Sequence, residues 1–154
     1  MRRIVLALTF SFSASLAAVA QDSGVLTRPS AHDFATTLSR LEASMRQEGF
    51  RVFGRLDHAE GAREVGLAMP PSTVVVFGNP RAGTPNFLRQ PTLALDLPLR
   101  ALVWQDQAGK VSVSWNSARY LFGTIYPRHG LTPAEGAAAA PEAAMARIME
   151  RAVE

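Results

Sequence analysis

Asp57, His58 and Asp96 are the side chains of this sequence whose type and setting could support acid-base chemistry. Asp57 and His58 are adjacent at the predicted start of a short helix, where the helix field disfavours a charged imidazole and keeps it available as a base. Asp96 lies between two leucines and precedes a proline, so burial could raise its pKa. These three groups could therefore serve an enzyme as proton donors and acceptors.

Each of these groups also has a purely structural interpretation. Asp57 can be a helix N-cap beside a surface His58. Asp96 can accept hydrogen bonds from the backbone amides of the Gly78-Asn79 turn or pair with an arginine, and such contacts would lower its pKa. Arg100 lies about 13 Å further along an extended chain, so direct pairing with it requires a bend at Pro98, and another arginine is an equal candidate. The sequence leaves both interpretations open.

The segment from Phe77 to Thr84 joins an apolar run to a predicted helix start and could hold a ligand. Its glycines permit close backbone approach, and free amides there could face an anion. The expected ligand-binding residues are Phe77, Gly78, Asn79, Pro80, Gly83, Thr84 and Asp96. The segment could equally be only a turn, because Gly-Asn-Pro favours turns and no GxGxxG or P-loop pattern is present.

Other reactive residues show no catalytic or metal-binding pattern. His32, His58 and His129 are separated by 26 and 71 residues, without the spacing of metal ligands. No G-x-S-x-G sequence occurs, and the chain contains no cysteine. We therefore expect no metal site, identify no cofactor, and find no support for a serine or thiol nucleophile.

The first 20 residues have the pattern of a secretory signal peptide. A cationic start, Met1-Arg2-Arg3, precedes an apolar stretch and the small residues Ala18-Val19-Ala20. The apolar stretch is shorter than the roughly 20 residues of a permanent membrane span. We expect cleavage after Ala20, a periplasmic or secreted location, and a soluble mature protein without permanent membrane insertion.

The charge pattern argues against a nucleic-acid partner. The net charge is +3, and without Arg2 and Arg3 the chain keeps 14 basic and 13 acidic residues. The basic residues are scattered, so there is no stripe that could follow a phosphate backbone.

Hydrophobic periodicity predicts helices interleaved with strands. Strands are expected at 24–28, 50–56, 73–77, 101–105 and 110–115, the last two as a hairpin and 73–77 as a buried central strand. Helices are expected from the Ser30/Asp33 capping box to Gly49, at 58–65, from Thr84 to Gln90, from 117 to 122 and at 141–153. Residues 127–140 should form a loop.

These elements predict an α+β fold. We expect a two-layer sandwich with one mostly antiparallel sheet of four to five strands and helices on one face. Residues 21–132 would form the single domain, 133–140 an alanine-rich linker and 141–154 a C-terminal helix.

A set of short motifs in fixed order resembles the bacterial domain of unknown function 302 family over about residues 24–131. The motifs are Asp57-His58-Ala59, Gly66, Met69-Pro70-Pro71, Phe77-Gly78-Asn79-Pro80, Gly83-Thr84-Pro85, Leu95-Asp96-Leu97-Pro98-Leu99, Val103-Trp104 and Gly109-Lys110-Val111. The resemblance implies a compact two-layer α/β domain that is often paired as a dimer, and it implies no reaction.

Three functions are consistent with these observations. The first is a module that binds a small molecule, an anion or a partner through the Gly78–Thr84 loop and Asp96. The second is a homodimeric structural or interaction protein, and the third is an enzyme using Asp57, His58 and Asp96. We order them in this way because the sequence has features of a binding site but no reaction signature.

Overall fold

The structure is a computed structural model that describes residues 23–154. The predicted signal peptide and its cleavage after Ala20 lie outside the described residues. Within residues 23–154, no helix has the length and apolar character needed to cross a membrane.

Five strands form one sheet in the order β1-β5-β4-β3-β2, and every neighbouring pair is antiparallel. The strands are β1 (Val25–Pro29), β2 (Arg51–Asp57), β3 (Ser72–Gly78), β4 (Leu99–Gln105) and β5 (Val111–Asn116). The β4-β5 hairpin and the predicted α+β class with a mostly antiparallel sheet are confirmed.

The main core lies between the sheet and two long helices, α1 (Phe34–Gln47) and α6 (Ala139–Val153). The apolar stripe of α1 places Leu41 and Met45 at zero exposure, and Ile148 and Met149 of α6 are equally buried. Alternate residues of the inner strands meet these helices, which is the pattern of a half-covered sheet. Because α6 supplies core residues, it belongs to the same packed unit as the sheet.

Strand β3 lies inside the sheet, but only one of its faces is buried. Val75 and Phe77 have zero exposure and Thr73 is 3% exposed, whereas Val74 and Val76 between them are partly exposed. The strand is central as predicted, and its burial is limited to one face, since five consecutive β-branched or aromatic residues do not show which face is covered.

Two helix starts differ from the predicted ones. Asp33, not Ser30, is the N-cap of α1, and its carboxylate accepts from the Thr36 amide at 2.8 Å. Helix α3 (Pro80–Arg89) begins five residues before the predicted start at Thr84-Pro85, because the Asn79 side chain accepts from the amides of Arg81 and Ala82. Pro80 at the first helical position needs no amide partner, which favours this earlier start. By contrast, α2 (His58–Glu64) begins after Asp57 as predicted.

The expected helix at 117–122 and loop at 127–140 also differ from the structure. A continuous helical segment runs through α4 (Ala118–Tyr120), a π-helical stretch (Leu121–Ile125) and α5 (Tyr126–Arg128). Helix α6 starts at Ala139, inside the expected alanine-rich linker. Its Glu142 accepts hydrogen bonds from the amides of Ala118 and Arg119, which holds α6 against this segment.

Two insertions meet at one end of the sheet. One, after β3, contains α3 and a 3₁₀ segment (Pro91–Leu95), and the other, after β5, contains the helical segment 118–128. Phe77 pairs with Leu99, and Ala101 pairs with Trp115. The last residues of β3 and β5 and the first residues of β4 therefore lie at the same end of the sheet. We call residues 79–97 and 117–131 the helical cap. They bury a second apolar cluster around Leu93, Ile125, Tyr126 and Leu131.

Candidate functional site

His129 is the centre of a hydrogen-bonded chain in the helical cap. Its side chain is 6% exposed, and its Nε2 lies 2.6 Å from Oδ2 of Asp96. On the other side of the ring, Nδ1 lies 3.0 Å from the hydroxyl oxygen of Thr92. The structure therefore links an exposed threonine, a buried imidazole and a carboxylate through two hydrogen bonds.

The charge of Asp96 determines the direction of these hydrogen bonds. The hydrogen bond from His129 holds the pKa of Asp96 below its ordinary value, and the nearby positive charge of Arg128 acts in the same direction. An ionised carboxylate can only accept, so Nε2–H of His129 donates to it. With neutral His129, Nδ1 then carries a lone pair that accepts the Thr92 hydroxyl proton.

This arrangement distinguishes between the interpretations of Asp96 that the sequence left open. Its partners are His129 and Arg128, not the amides of the Gly78-Asn79 turn. Among the described residues, Arg100 is not in ion-pair contact with Asp96, and it lowers the Asp96 pKa only through space. Of the two interpretations, the lowered pKa is confirmed and the raised pKa is wrong, because a hydrogen bond to the charged form outweighs the partial loss of water.

The 3₁₀ segment positions both partners of His129. Thr92 lies near its start, Asp96 is its C-cap residue, and the fully buried Leu93 between them anchors the segment in the cap cluster. Gln90, just before the segment, donates from its side-chain amide to the backbone carbonyl of His129. The imidazole is therefore held through both its ring and its backbone.

Arginines give the site a surplus of positive charge. Nη1 of Arg128 lies 3.5 Å from Oδ2 of Asp96, and the Arg128 side chain is 64% exposed. Arg100, at the start of β4, is also exposed and near enough to affect the Asp96 pKa. Two guanidinium groups thus lie near one carboxylate that already accepts a hydrogen bond from His129.

The first part of the predicted ligand-binding set has structural roles. Phe77 has zero exposure and packs in the main core, edge-on against Phe50. Gly78 is buried, and a Cβ there would lie 3.2 Å from the Phe53 ring and 3.4 Å from Pro98. Asn79 uses its side-chain oxygen as the cap of α3. These glycine and asparagine positions serve packing and helix initiation.

The rest of the set lies within a helix and not in a loop. Pro80, Gly83 and Thr84 belong to the first half of α3. A Cβ on Gly83 would lie 3.3 Å from the ring of Phe87, so this glycine accommodates a side chain of its own helix. The structure places these residues at the same end of the sheet as Asp96, because Phe77 at the end of β3 pairs with Leu99, three residues after Asp96.

Asp57 and His58 lie at the opposite end of the sheet from Asp96. Asp57 pairs with Thr73, whereas Leu99, three residues after Asp96, pairs with Phe77. Four residues of strand separate these positions by about 13 Å along β3. Asp57 accepts from the Glu60 amide at 3.0 Å as the cap of α2, and His58 is exposed. These residues and Asp96 therefore do not form one acid-base site.

Sequence reasoning missed Thr92, Arg128 and His129. His129 was considered only as a metal ligand, and residues 127–140 looked like a loop. Its partners are 33 and 37 residues away in sequence, so no local spacing could indicate the contact. Within residues 23–154, no group of three His, Cys, Asp or Glu side chains is arranged to hold a metal ion.

Comparison with known proteins finds relatives that are similar in sequence to this chain but much longer than it. The chain is 44% identical over 100 residues to proteins named fluoride-specific ion channel FluC 1 from Brucella suis biovar 1 and Brucella abortus biovar 1. The match covers 65% of this chain but 39% and 37% of those proteins, so the chain spans less than half of their length.

A solved structure has the same fold. The crystal structure of the uncharacterized conserved protein DUF302 from Bacillus stearothermophilus superposes with a TM-score of 0.70 at 23% sequence identity. The match covers 84% of this chain and 98% of the other. The family model described as domain of unknown function DUF302 matches residues 26–152, which include every strand but the first residue of β1 and nearly all of α6. The chain therefore belongs to the DUF302 family.

Proposed function

We propose that this domain binds a small anionic ligand at the helical cap, between Arg128, His129 and Thr92. The observation that supports this proposal is the surplus of exposed cationic donors around one carboxylate that is already paired. Oδ2 of Asp96 already has a hydrogen-bond donor, His129 Nε2 at 2.6 Å, so the carboxylate does not depend on the nearby arginines for a partner.

Arg128 has donors available for such a ligand. A guanidinium carries five N–H donors in a planar fork, and Nη1 of Arg128 lies 3.5 Å from Oδ2 of Asp96. A carboxylate or phosphate oxygen can therefore be bound by the remaining donors, because planar bidentate recognition of these groups is typical of arginine. Arg100 adds positive charge, which attracts an anion towards the same end of the sheet.

The binding test is a titration of 15N-labelled protein, residues 21–154, with acetate, inorganic phosphate and fluoride. Fluoride is included because the Brucella relatives are named as fluoride-specific channels. We expect chemical-shift changes at residues 92–100 and 128–130 that saturate, and a weaker affinity in Arg128→Gln. Arg63→Gln is the matched control, since Arg63 is an exposed arginine in α2 at the other end of the sheet.

Two results would contradict anion binding at this site. One is the absence of saturable shifts at the helical cap with all three anions. The other is an equal loss of affinity in Arg128→Gln and Arg63→Gln, which would indicate general charge attraction.

We also propose self-association as a second function of this domain. Leu56, Val65, Leu67 and Met69 are between 43% and 70% exposed, and they cluster in sequence around the end of β2 and α2. An exposed apolar patch of this kind favours an interface, and a second copy of the chain is the simplest occupant. This end of the sheet is opposite the helical cap, so a dimer formed there would leave the anion site open.

Sedimentation velocity over a range of protein concentrations tests self-association. We expect a concentration-dependent dimer in the wild type and a monomer in the Val65→Ser, Leu67→Ser double variant. Leu88→Ser is the control, because Leu88 is 80% exposed in α3, away from this patch. A wild-type protein that stays monomeric at every concentration would overturn the proposal.

A further inference from the structure

We propose that Thr92, His129 and Asp96 form a nucleophile, a general base and a positioning carboxylate that cleave small acyl esters. This activity shares with the proposed anion binding only its location in the helical cap. It depends on the hydroxyl-imidazole-carboxylate chain and not on the arginines, so an uncharged ester tests it independently of anion binding.

The geometry meets the requirements for an activated hydroxyl nucleophile. Such a nucleophile lies within hydrogen-bond reach of a base, and a third group orients the base. Thr92 Oγ1 is 3.0 Å from Nδ1 of His129, and Nε2 is 2.6 Å from Asp96. The two ring nitrogens have exchanged the roles they have in serine proteases, but the order hydroxyl, imidazole, carboxylate is the same.

The nucleophile and the base differ in solvent exposure, and each has the exposure that the reaction requires of it. Thr92 is exposed and can be reached by a substrate, whereas the ring of His129 is 6% exposed and keeps its orientation. Asp96 remains ionised, because the hydrogen bond from His129 favours its charged form. It can therefore stabilise an imidazolium without taking up the proton itself.

An apolar side chain beside Thr92 indicates the kind of acyl group. In a 3₁₀ helix, side chains at positions i and i+3 are eclipsed, so Leu95 lies on the same face as Thr92. Leu95 is 74% exposed although leucine is usually buried. A short aliphatic acyl chain can pack on it while the carbonyl carbon faces the hydroxyl.

The reaction balances without a cofactor or redox partner. Thr92 Oγ attacks the ester carbonyl carbon while His129 Nδ1 takes the hydroxyl proton. The bond from the carbonyl carbon to the alkoxy oxygen then breaks, and the alcohol leaves with that proton. His129 then takes a proton from water as the water oxygen attacks the acyl carbon, the bond from that carbon to Thr92 Oγ1 breaks, and His129 returns the proton to Oγ1 as the carboxylic acid leaves.

The test uses p-nitrophenyl butyrate, which is uncharged, with the protein of residues 21–154. We expect release of p-nitrophenolate and a butyryl adduct on Thr92 by peptide mass spectrometry. Thr92→Val preserves the β-branched shape and removes the nucleophile, so the rate should fall by roughly 10²-fold or more. The control is Thr27→Val, which changes an exposed threonine of β1 on the sheet.

Asp96 is a positioning residue in this scheme and needs a readout of its own. We expect Asp96→Asn to lower kcat with little change in KM, and Asp96→Glu to recover part of kcat. Circular dichroism and thermal melting of each variant separate these effects from loss of the fold.

The proposal is overturned if Thr92→Val and Thr27→Val cleave the ester at equal rates, or if butyryl groups appear only on other residues. An inactive wild type also overturns it, whatever the anion titration shows. Conversely, ester cleavage that needs Thr92 without any anion binding would refute the proposed anion site and leave the acyl-ester activity standing.

Discussion

At the scale of single residues, the contact between Asp96 and His129 has a measurable electrostatic signature. Asp96 has a lowered pKa whose largest cause is the hydrogen bond from His129. A carboxylate whose pKa is lower in the folded state than in the unfolded state stabilises the protein at any pH above the unfolded-state pKa. That contribution is lost as pH falls through the folded-state pKa.

We expect the Asp96 carboxyl to titrate below its ordinary value of 3.8 in the folded protein. In His129→Gln the midpoint should move upward, because the largest stabilising contact of the carboxylate is removed. Carbon-13 NMR of the side-chain carboxyl measures both midpoints. Asp33 is an internal control, since its pKa is also lowered, but by hydrogen bonds from Thr36. An unchanged Asp96 midpoint in His129→Gln would contradict the assigned contact.

At the scale of secondary-structure elements, the start of α3 decides which residues surround the candidate site. Asn79 accepts from two amides of the first helical turn, so the helix includes residues that otherwise would form a loop. An unsatisfied first turn is costly, and the N-cap side chain prevents this.

We expect Asn79→Ala to lower the free energy of unfolding by about 1 kcal/mol. Asn79→Asp should be close to wild type, because aspartate is an equally good N-cap residue. Urea denaturation followed by circular dichroism measures both. If alanine were as stable as asparagine here, the cap would not determine where α3 begins.

Helix α6 gives a second prediction at this scale. Ile148 has zero exposure in the main core, so Ile148→Ala should lower the free energy of unfolding by about 2–5 kcal/mol. Leu88→Ala, at an 80% exposed position, should change it by less than roughly 0.5 kcal/mol. Chemical denaturation measures the difference. A small effect of Ile148→Ala would mean that α6 does not complete the core.

Local patterns in the sequence predicted most of the elements, and long-range contacts account for what they missed. The stripe Leu38, Leu41 and Met45 predicted α1, and the two runs around Gly109 predicted the hairpin, because both patterns are local. His129 could not be assigned in this way. Its role comes from pairing with residues more than 30 positions earlier, which only the fold brings together.

The start of α3 shows a different source of error. Both Asn79-Pro80 and Thr84-Pro85 have the N-cap and first-position proline pattern, and the sequence contains no rule for choosing between them. The structure uses the earlier pair, and Pro85 is then inside the helix. Because the helix begins at Pro80, residues 80–84, which were expected to form part of a ligand-binding loop, lie within α3.

At the scale of the whole molecule, we propose that the protein is exported and that its first 20 residues are removed. The sequence pattern of Met1 to Ala20 supports this proposal. After expression in a Gram-negative host, we expect the protein in the periplasmic fraction with Gln21 as its first residue. N-terminal sequencing of that fraction tests both points. Recovery of an uncleaved chain from the cytoplasm would contradict the proposal, and Ala18→Arg should block cleavage in an exported chain.

The two apolar clusters of the molecule have a further consequence. Within residues 23–154, the main core and the cluster beneath the helical cap share no buried residue. Partly independent clusters can open separately, with different free energies. Substitutions around Thr92, Asp96 and His129 can therefore accumulate during evolution with little effect on the sheet and its two long helices. Descendants of one ancestral DUF302 domain could in this way acquire different chemical preferences on a single inherited scaffold.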